Sequence, residues 1–375
     1  MEHYLDNSAT TRVSRSVAEK VTELMCENYG NPSSLHSLGY KAETELESSR
    51  ETIAEALGVK SEEIYFTSGG TEANNLAVFG TAQWLKKRGN KIVTTAIEHS
   101  SVYEAVRHLE ELGFDVTYIK PDSSGHISAE QFEDAIDDKT ILVSVMAVNN
   151  EVGAILPVDK LKQIIKSKNS PALLHCDCVQ AFGKIPLRLA KTGVDLASVS
   201  GHKIHAPKGV GAIYVRKGLN IKPRQFGGEQ EKKLRPGTEP LPLIAGFAQA
   251  VSDFDLSRNY KKVSGLNTYI IERLKAIDEI TINSPPDALP YIVNFSVNGI
   301  RSETMLHFLA EKEIYVSSGS ACAKGKPSRV LGAMTADRDT ADSALRVSFC
   351  AENTTQDIDA LTDAIVEAQQ KLAKR

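Results

Sequence analysis

Val194-Asp195-Leu196-Ala197-Ser198-Val199-Ser200-Gly201-His202-Lys203 decides how this chain is read, because an apolar run that reads as a buried strand gives way at once to a short loop holding one lysine. Open α/β sheets bind ligands beyond the carboxyl ends of their strands, and a lysine partly withdrawn from water there loses some of its charged form and becomes an amine nucleophile. Most lysines are exposed, so the competing reading is a solvated loop residue. The neighbouring sequence has to decide between the two.

Working outward, short apolar runs at residues 64–66, 91–96, 116–119, 141–148, 173–176, 194–199 and 210–215 alternate with helical patterns, such as Leu76, Gly80 and Trp84 or Leu161, Ile164 and Ile165. This alternation predicts an α/β class with a mostly parallel seven-stranded sheet flanked by helices. It stops after Lys217. A loop over residues 223–242 is rich in Gly, Pro and charge; one long helical pattern over 241–274 follows, then strands near 291–297 and 314–317. A final helix over 357–372 carries Ile358, Leu361 and Ile365 on one face and reads as a docking helix. The predicted organisation is a large α/β domain over residues 13–255 and a smaller α+β domain built from residues 1–12 plus 256–375.

The chain is long enough for two real cores, at 375 residues with 41% hydrophobic and 25% charged content. A formal net charge of −4 argues against an electrostatic grip on nucleic acid or an anionic membrane, although Lys324, Lys326 and Arg329 offer a local basic patch for a partner protein. The first residues lack a charged-then-apolar signal pattern, and no apolar run approaches the roughly 20 residues that span a bilayer, so a cytoplasmic location is expected. Five cysteines in no regular framework suggest free thiols.

Thr67-Ser68-Gly69-Gly70-Thr71-Glu72 follows a strand and opens a helix, so its backbone N–H groups form an anion cradle suited to phosphate or simply a tight turn. Its spacing matches neither the Walker nor the dinucleotide fingerprint. His175-Cys176-Asp177-Cys178 has metal-ligand residue types, but strand alternation puts His175 and Asp177 on one face and both cysteines on the other, so no intrinsic metal is expected. An Asp ending a buried strand instead needs a cationic partner, which a protonated ring nitrogen supplies, and Gln180 stands near enough to add a hydrogen bond. A lysine for a Schiff base, an Asp for a pyridinium nitrogen and a phosphate cradle are together what pyridoxal 5′-phosphate requires of a protein.

Read together, Tyr4-Leu5-Asp6-Asn7-Ser8-Ala9-Thr10-Thr11, Gly30-Asn31-Pro32-Ser33-Ser34, Thr67 to Asn74, Glu98-His99, Asn149-Asn150-Glu151-Val152-Gly153, Asp177 with Gln180, Ser200 to Lys203, Arg235-Pro236-Gly237-Thr238 and Ser318-Gly319-Ser320-Ala321-Cys322 resemble the cysteine desulfurases among the fold-type-I pyridoxal-phosphate enzymes, nearly end to end. The resemblance implies pyridoxal 5′-phosphate as cofactor, borne on Lys203, with Asp177 at the pyridine nitrogen, Gln180 at the ring hydroxyl and His99 stacked on the ring. Gly70, Thr71, Ser200 and His202 would hold the phosphate, joined by Thr238 from the second subunit of a homodimer. Asn150 and Arg346 match the positions that receive the substrate carboxylate, Asn150 touching the cofactor as well. L-cysteine would be the substrate, and an iron–sulfur scaffold or tRNA-thiolation enzyme the acceptor.

Cys322 is the residue that makes sulfur the subject of the reaction. Small residues before it, and Lys324-Gly325-Lys326-Pro327 after it, give a flexible sequence with positive charge that favours thiolate; it would carry the persulfide and at most transiently bind an iron–sulfur cluster. Cys176 and Cys178 read as strand core, Cys26 as helix packing and Cys350 as a strand residue near Arg346. Departures from the family pattern are Pro236 and Pro240 around the Gly237-Thr238 turn, Cys350 where a glycine commonly stands, and a loop to Val330 shorter than the longest in the family. The alternatives on the same fold are a selenocysteine lyase and a cysteine-sulfinate desulfinase.

Overall fold

The structure is a computed structural model that describes residues 2–318, 328–334 and 337–372. Cys322, Lys324 and Lys326 lie outside the described residues. After β1 (His3–Tyr4), seven strands, β2 (Ile64–Thr67), β3 (Lys91–Thr95), β4 (Asp115–Ile119), β5 (Thr140–Met146), β6 (Leu173–Asp177), β7 (Leu196–Ser200) and β8 (Gly211–Val215), form one sheet in the order β2-β8-β7-β6-β5-β3-β4. Every residue of β5 to β8 is buried, as expected of strands covered on both faces. The α/β class with a mostly parallel seven-stranded sheet is therefore observed. β8 runs antiparallel to both β7 and β2, because residues 201–210 are too few for the dozen-residue crossover that a parallel return requires.

The register of β8 places the ligand end of the sheet. Gly211 pairs with Ser200 on one side and Thr67 on the other, so the carboxyl ends of β7 and β2 flank one glycine. A β-carbon there would lie 2.7 Å from Gly69 Cα and 2.6 Å from Val199 O, so only glycine lets the turn after β2 cross so closely. Gly69 itself sits at φ +151°, a conformation that favours glycine.

Helices α1 (Arg15–Cys26) and α2 (Ser37–Leu57) pack on the helix Leu241–Ser252, while α3 (Gly70–Leu85) lays Ala73, Leu76 and Ala77 against Leu173, Leu196 and Ile213 of the sheet. The long helical pattern over 241–274 is two helices, Leu241–Ser252 and Leu256–Lys275, because the Asp255 carboxylate caps the second by accepting the Arg258 N–H. Cys26 does not pack: it ends α1 exposed, while Val17 and Leu24 take the buried face.

A second sheet joins β9 (Ile280–Ile282), β10 (Ile292–Val297) and β12 (Ala344–Ser348) antiparallel, and β1 pairs in parallel with β11 (Ile314–Tyr315). Leu5, Phe247, Phe295 and Ile365 belong to one continuous core that runs between the sheets.

One buried ion pair ties α2 to the loop before Thr238. Glu231 accepts both Arg50 terminal nitrogens at 2.9 Å and the Phe66 N–H at 2.8 Å. Glu231→Ala would leave buried Arg50 with only the more exposed Glu47 on Nε and the Ile64 carbonyl on Nη1, so urea unfolding should show a loss of about 3 kcal/mol, and a loss below about 1 kcal/mol would contradict this account.

Candidate active site

Two hydrogen-bonded chains meet at the carboxyl ends of β5, β6 and β7. The first starts at Asp177, the buried last residue of β6, whose carboxylate accepts the Val179 N–H at 2.9 Å and Asn74 Nδ2 at 2.7 Å. Asn74 also donates to Ser101 Oγ at 2.8 Å. The Ser101 hydroxyl lies 2.8 Å from His99 Nδ1, and the Ser101 N–H donates to that nitrogen at 3.2 Å, capping α4 (Ser100–Glu111). A ring nitrogen that accepts a backbone N–H carries no proton, so neutral His99 holds its proton on Nε2. Burial keeps the His99 pKa below the usual value against the opposing pull of Asp177.

The second chain runs through the N-terminal segment. Lys203, in the single 3-10 turn after β7, donates Nζ to Ser8 O at 2.5 Å and Ala9 O at 2.8 Å. The Thr11 N–H donates to His202 O at 2.9 Å, which presses residues 8–11 over that turn. The His202 ring lies 3.3 Å from Thr10 Oγ1, and its pKa falls to about 4 through burial and the charges of Lys203 and Lys208. Arg346 on β12 is buried: Nη1 donates to Asn150 O at 2.9 Å, Nη2 to Asp6 at 2.8 Å, and among the described residues Nε has no partner.

These residues fit pyridoxal 5′-phosphate. Ser200 Oγ is buried with no hydrogen-bond partner among the described residues, and a β-carbon on Gly69, just before the first turn of the sixteen-residue helix α3, would stand 3.7 Å from it. An unpaired hydroxyl beside a helix N-terminus is an anion cradle. Asp177 is buried with two N–H donors and, among the described residues, no ion pair, which suits an incoming cationic ring nitrogen. His175 does not invite a metal, since Ser144 Oγ and Ser198 Oγ take its two ring nitrogens at 2.8 and 3.1 Å.

The structure thus gathers His99, Asp177, Gln180, Ser200, His202 and Lys203 with the α3 start at Gly70 and Thr71, and sets Asn150 beside Arg346. Gln180 is already engaged on both ends, donating Nε2 to Ser8 O at 3.0 Å and accepting Lys184 Nζ at 2.8 Å. Thr238 is exposed, on a loop pinned to the first turn of α3 by the 3.0 Å pair Arg235–Glu72. Arg329 is not a surface charge: it is half-buried, donates to the carbonyls of Ala96 and Glu98, and lies over Tyr103.

Three residues were not assigned roles from sequence. Asn74 is the link between Asp177 and His99, and its signal was an amide on the apolar face of α3. Glu98 is buried, accepts Thr95 Oγ1 and the Met146 N–H, and is pushed up to about 8 chiefly by burial, with Asp177 adding to the rise. Glu151 accepts Ser328 Oγ at 2.5 Å and is raised to about 7 by burial.

The chain matches the family described as aminotransferase class-V over residues 3–361. It is 39% identical over 374 residues to a cysteine desulfurase IscS of Methanosarcina thermophila, covering 98% of this chain and 92% of the relative. It is 39% identical over 376 residues to a putative cysteine desulfurase of Bacillus subtilis, covering 98% and 99%. Among solved structures, a NifS-like protein superposes with a TM-score of 0.94 at 41% identity over 99% of this chain and 100% of its own. SspA in complex with cysteine gives 0.84 at 33%, over 94% and 100%.

The state of Glu98 has a measurable consequence. Its folded pKa stands above the unfolded value, so its contribution to stability is full below about 4.5 and is lost as pH rises through about 8. Urea unfolding across that window should show stability falling less steeply in Glu98→Gln than in wild type, and parallel profiles would refute the assignment.

Proposed function

The chain belongs to the cysteine desulfurases of the class-V aminotransferase family, and from that membership and the site geometry we propose a residue-by-residue account of how it moves sulfur from L-cysteine to Cys322. The reaction converts L-cysteine and the Cys322 thiol into L-alanine and a Cys322 persulfide: the substrate Cβ–S bond breaks, an S–S bond forms and protons restore the alanine. The buried carboxylate of Asp177, without a cation among the described residues, carries this reading. Pyridoxal 5′-phosphate, when bound, supplies the electron sink that this chemistry needs.

Lys203 would hold the cofactor and take the substrate α-proton on Nζ, with the Ser8 and Ala9 carbonyls positioning that nitrogen. Asp177 keeps the ring nitrogen charged; Asn74 and the Val179 N–H fix its carboxylate. His99, with its proton on Nε2, would lie against the cofactor ring and donate a proton as sulfur leaves. Ser200, His202, Gly70 and Thr71 bind phosphate, and Gln180 bonds the ring hydroxyl. Arg346 and Asn150 receive the substrate carboxylate, for which the unpartnered Nε is still available. Cys322 attacks sulfur as thiolate.

The relatives are named for cysteine, and neither selenocysteine nor a sulfinate is favoured as substrate. The acceptor is a sulfur-receiving protein of iron–sulfur assembly or tRNA thiolation. A reducing cytoplasm suits a thiol that must be regenerated each turnover; among the described residues no helix is long and apolar enough to cross a membrane. A homodimer would cover Tyr29, Leu35, Tyr40 and Phe226, large apolar side chains exposed at 68% or more, and bring Thr238 on the loop of Phe226 to the other subunit's phosphate.

Three measurements test this account. Lys203→Ala should lose the visible cofactor absorbance and all alanine formation, whereas Cys322→Ala should keep the absorbance and form no persulfide by mass spectrometry; persulfide-independent turnover at the wild-type rate would overturn it. Arg346→Lys should raise KM for cysteine about 10-fold or more, since a charge-assisted pair is lost, with a smaller effect on kcat. Phe226→Asp should shift sedimentation from dimer to monomer, and an unchanged coefficient would remove this surface from the interface.

A further inference from the structure

Lys184 has no role in the scheme above, yet it is only 4% exposed. Among the described residues no carboxylate pairs with it: Nζ donates to Gln180 Oε1 at 2.8 Å and stands 5.8 Å over the Tyr291 ring. A buried amine without a counter-ion is costly to keep, and an apolar side chain at this position would fill the same space more cheaply. Lys184 and Lys203 line one cavity of about 20 Å³ with Asn7, Tyr291 and Cys350.

Three hydrogen bonds connect the two lysines. Lys184 Nζ donates to Gln180 Oε1, Gln180 Nε2 donates to Ser8 O at 3.0 Å, and Ser8 O also receives Lys203 Nζ at 2.5 Å. An amide is ambiguous about which end faces which way, and a lysine amine removes the ambiguity. Flipped, the glutamine would set its N–H groups against the Lys184 N–H groups and its oxygen against the Ser8 carbonyl. Unflipped, Nε2 uses one N–H on Ser8 and keeps the second for another acceptor.

We propose that Lys184 is a positioning residue that acts through Gln180, locking the side-chain amide so that its nitrogen, and not its oxygen, faces Ser8 O and the ring hydroxyl of the cofactor. The inference rests on the reading of Gln180 and Lys203 as cofactor residues. Burial, with the charges of Lys203 and Arg346 acting in the same direction, brings the Lys184 pKa down to about 7; the ammonium, with three donors and no acceptor, enforces the orientation, and the lone pair of the neutral amine relaxes it.

The test is a double-mutant cycle on the holoenzyme that reads the dissociation constant and absorbance maximum of pyridoxal 5′-phosphate, with thermal unfolding followed separately. Lys184→Met should weaken cofactor binding about 10-fold and shift the absorbance, Gln180→Leu should do likewise, and the double variant should be no worse than Gln180→Leu alone. Lys184→Arg should recover most of the loss. Should Lys184→Met not fold, Lys184→Gln, which offers both a donor and an acceptor and so removes the bias, is held to the same criterion. Loss in Gln180→Leu with none in the Lys184 variant, or equal Lys184 losses in both backgrounds, overturns this inference alone. Unchanged binding in Gln180→Leu overturns it together with the cofactor role of Gln180.

Discussion

Residues 6–11 are the strap on which the site depends. Ser8 O and Ala9 O hold the lysine amine, Thr11 N–H binds the carbonyl of His202, Asp6 pairs with Arg346, and Asn7 Nδ2 donates to Ser348 O at 2.9 Å. The strap therefore joins the carboxyl end of β7, in the large sheet, to β12 in the small one. These are mostly backbone carbonyls and N–H groups, which lose nothing to side-chain rotamer entropy and fix a lysine with four rotatable bonds more tightly than a second side chain would. Lys203, beyond the large sheet's β7, and Arg346, on β12 of the small sheet, keep their mutual placement because one short segment touches both.

Around that strap, burial acts on the charges in one sense. Glu98 and Glu151 are pushed up to about 8 and 7, while His175, His202 and Lys184 come down to about 3, 4 and 7. Each shift moves a group toward its neutral form, as a low-dielectric interior demands. Against this background two groups keep directed hydrogen-bonding capacity: Asp177, whose carboxyl accepts two N–H donors, and Arg346, whose Nε has no partner among the described residues. They are complementary to a cationic ring and an anionic carboxylate, so the background neutralisation leaves specificity to the groups that meet ligand.

The strands of the large sheet were legible because each is a continuous apolar run, and the lysine loop, the glycine turn and Asp177 were legible because each ends one. What period and composition did not carry was contact between distant segments. The antiparallel turn of β8 follows from the length of 201–210, a quantity that the apolar pattern does not weigh. The helix break at Asp255 is a single capping side chain inside an otherwise unbroken amphipathic pattern. β1, β9 and β12 are too short or too mixed to stand out, and β1 exists only because His3 and Tyr4 find Ile314 and Tyr315. Asn74 and Lys184 were hidden for a related reason: a polar residue in an apolar helix or turn looks like noise until its partner, more than a hundred residues away for Asp177, is in place.

The order in which these layers act separates placement from chemistry. Gly211 admits Gly69, Gly69 starts α3 beside Ser200, and α3 carries Asn74 to Asp177 one turn later. Each step is steric or a hydrogen bond formed within the protein, and none requires a bound ligand. The N-terminus beside Ser200 and the amide that donates to Asp177 consequently belong to the same helix, so a shift of α3 along its axis would move Asn74 and the helix N-terminus together and keep their spacing. Only Lys203 and Arg346 are held by the strap instead. The geometry that can vary independently is thus the placement of α3, with Asn74 and its N-terminus, relative to the strap that holds both Lys203 and Arg346.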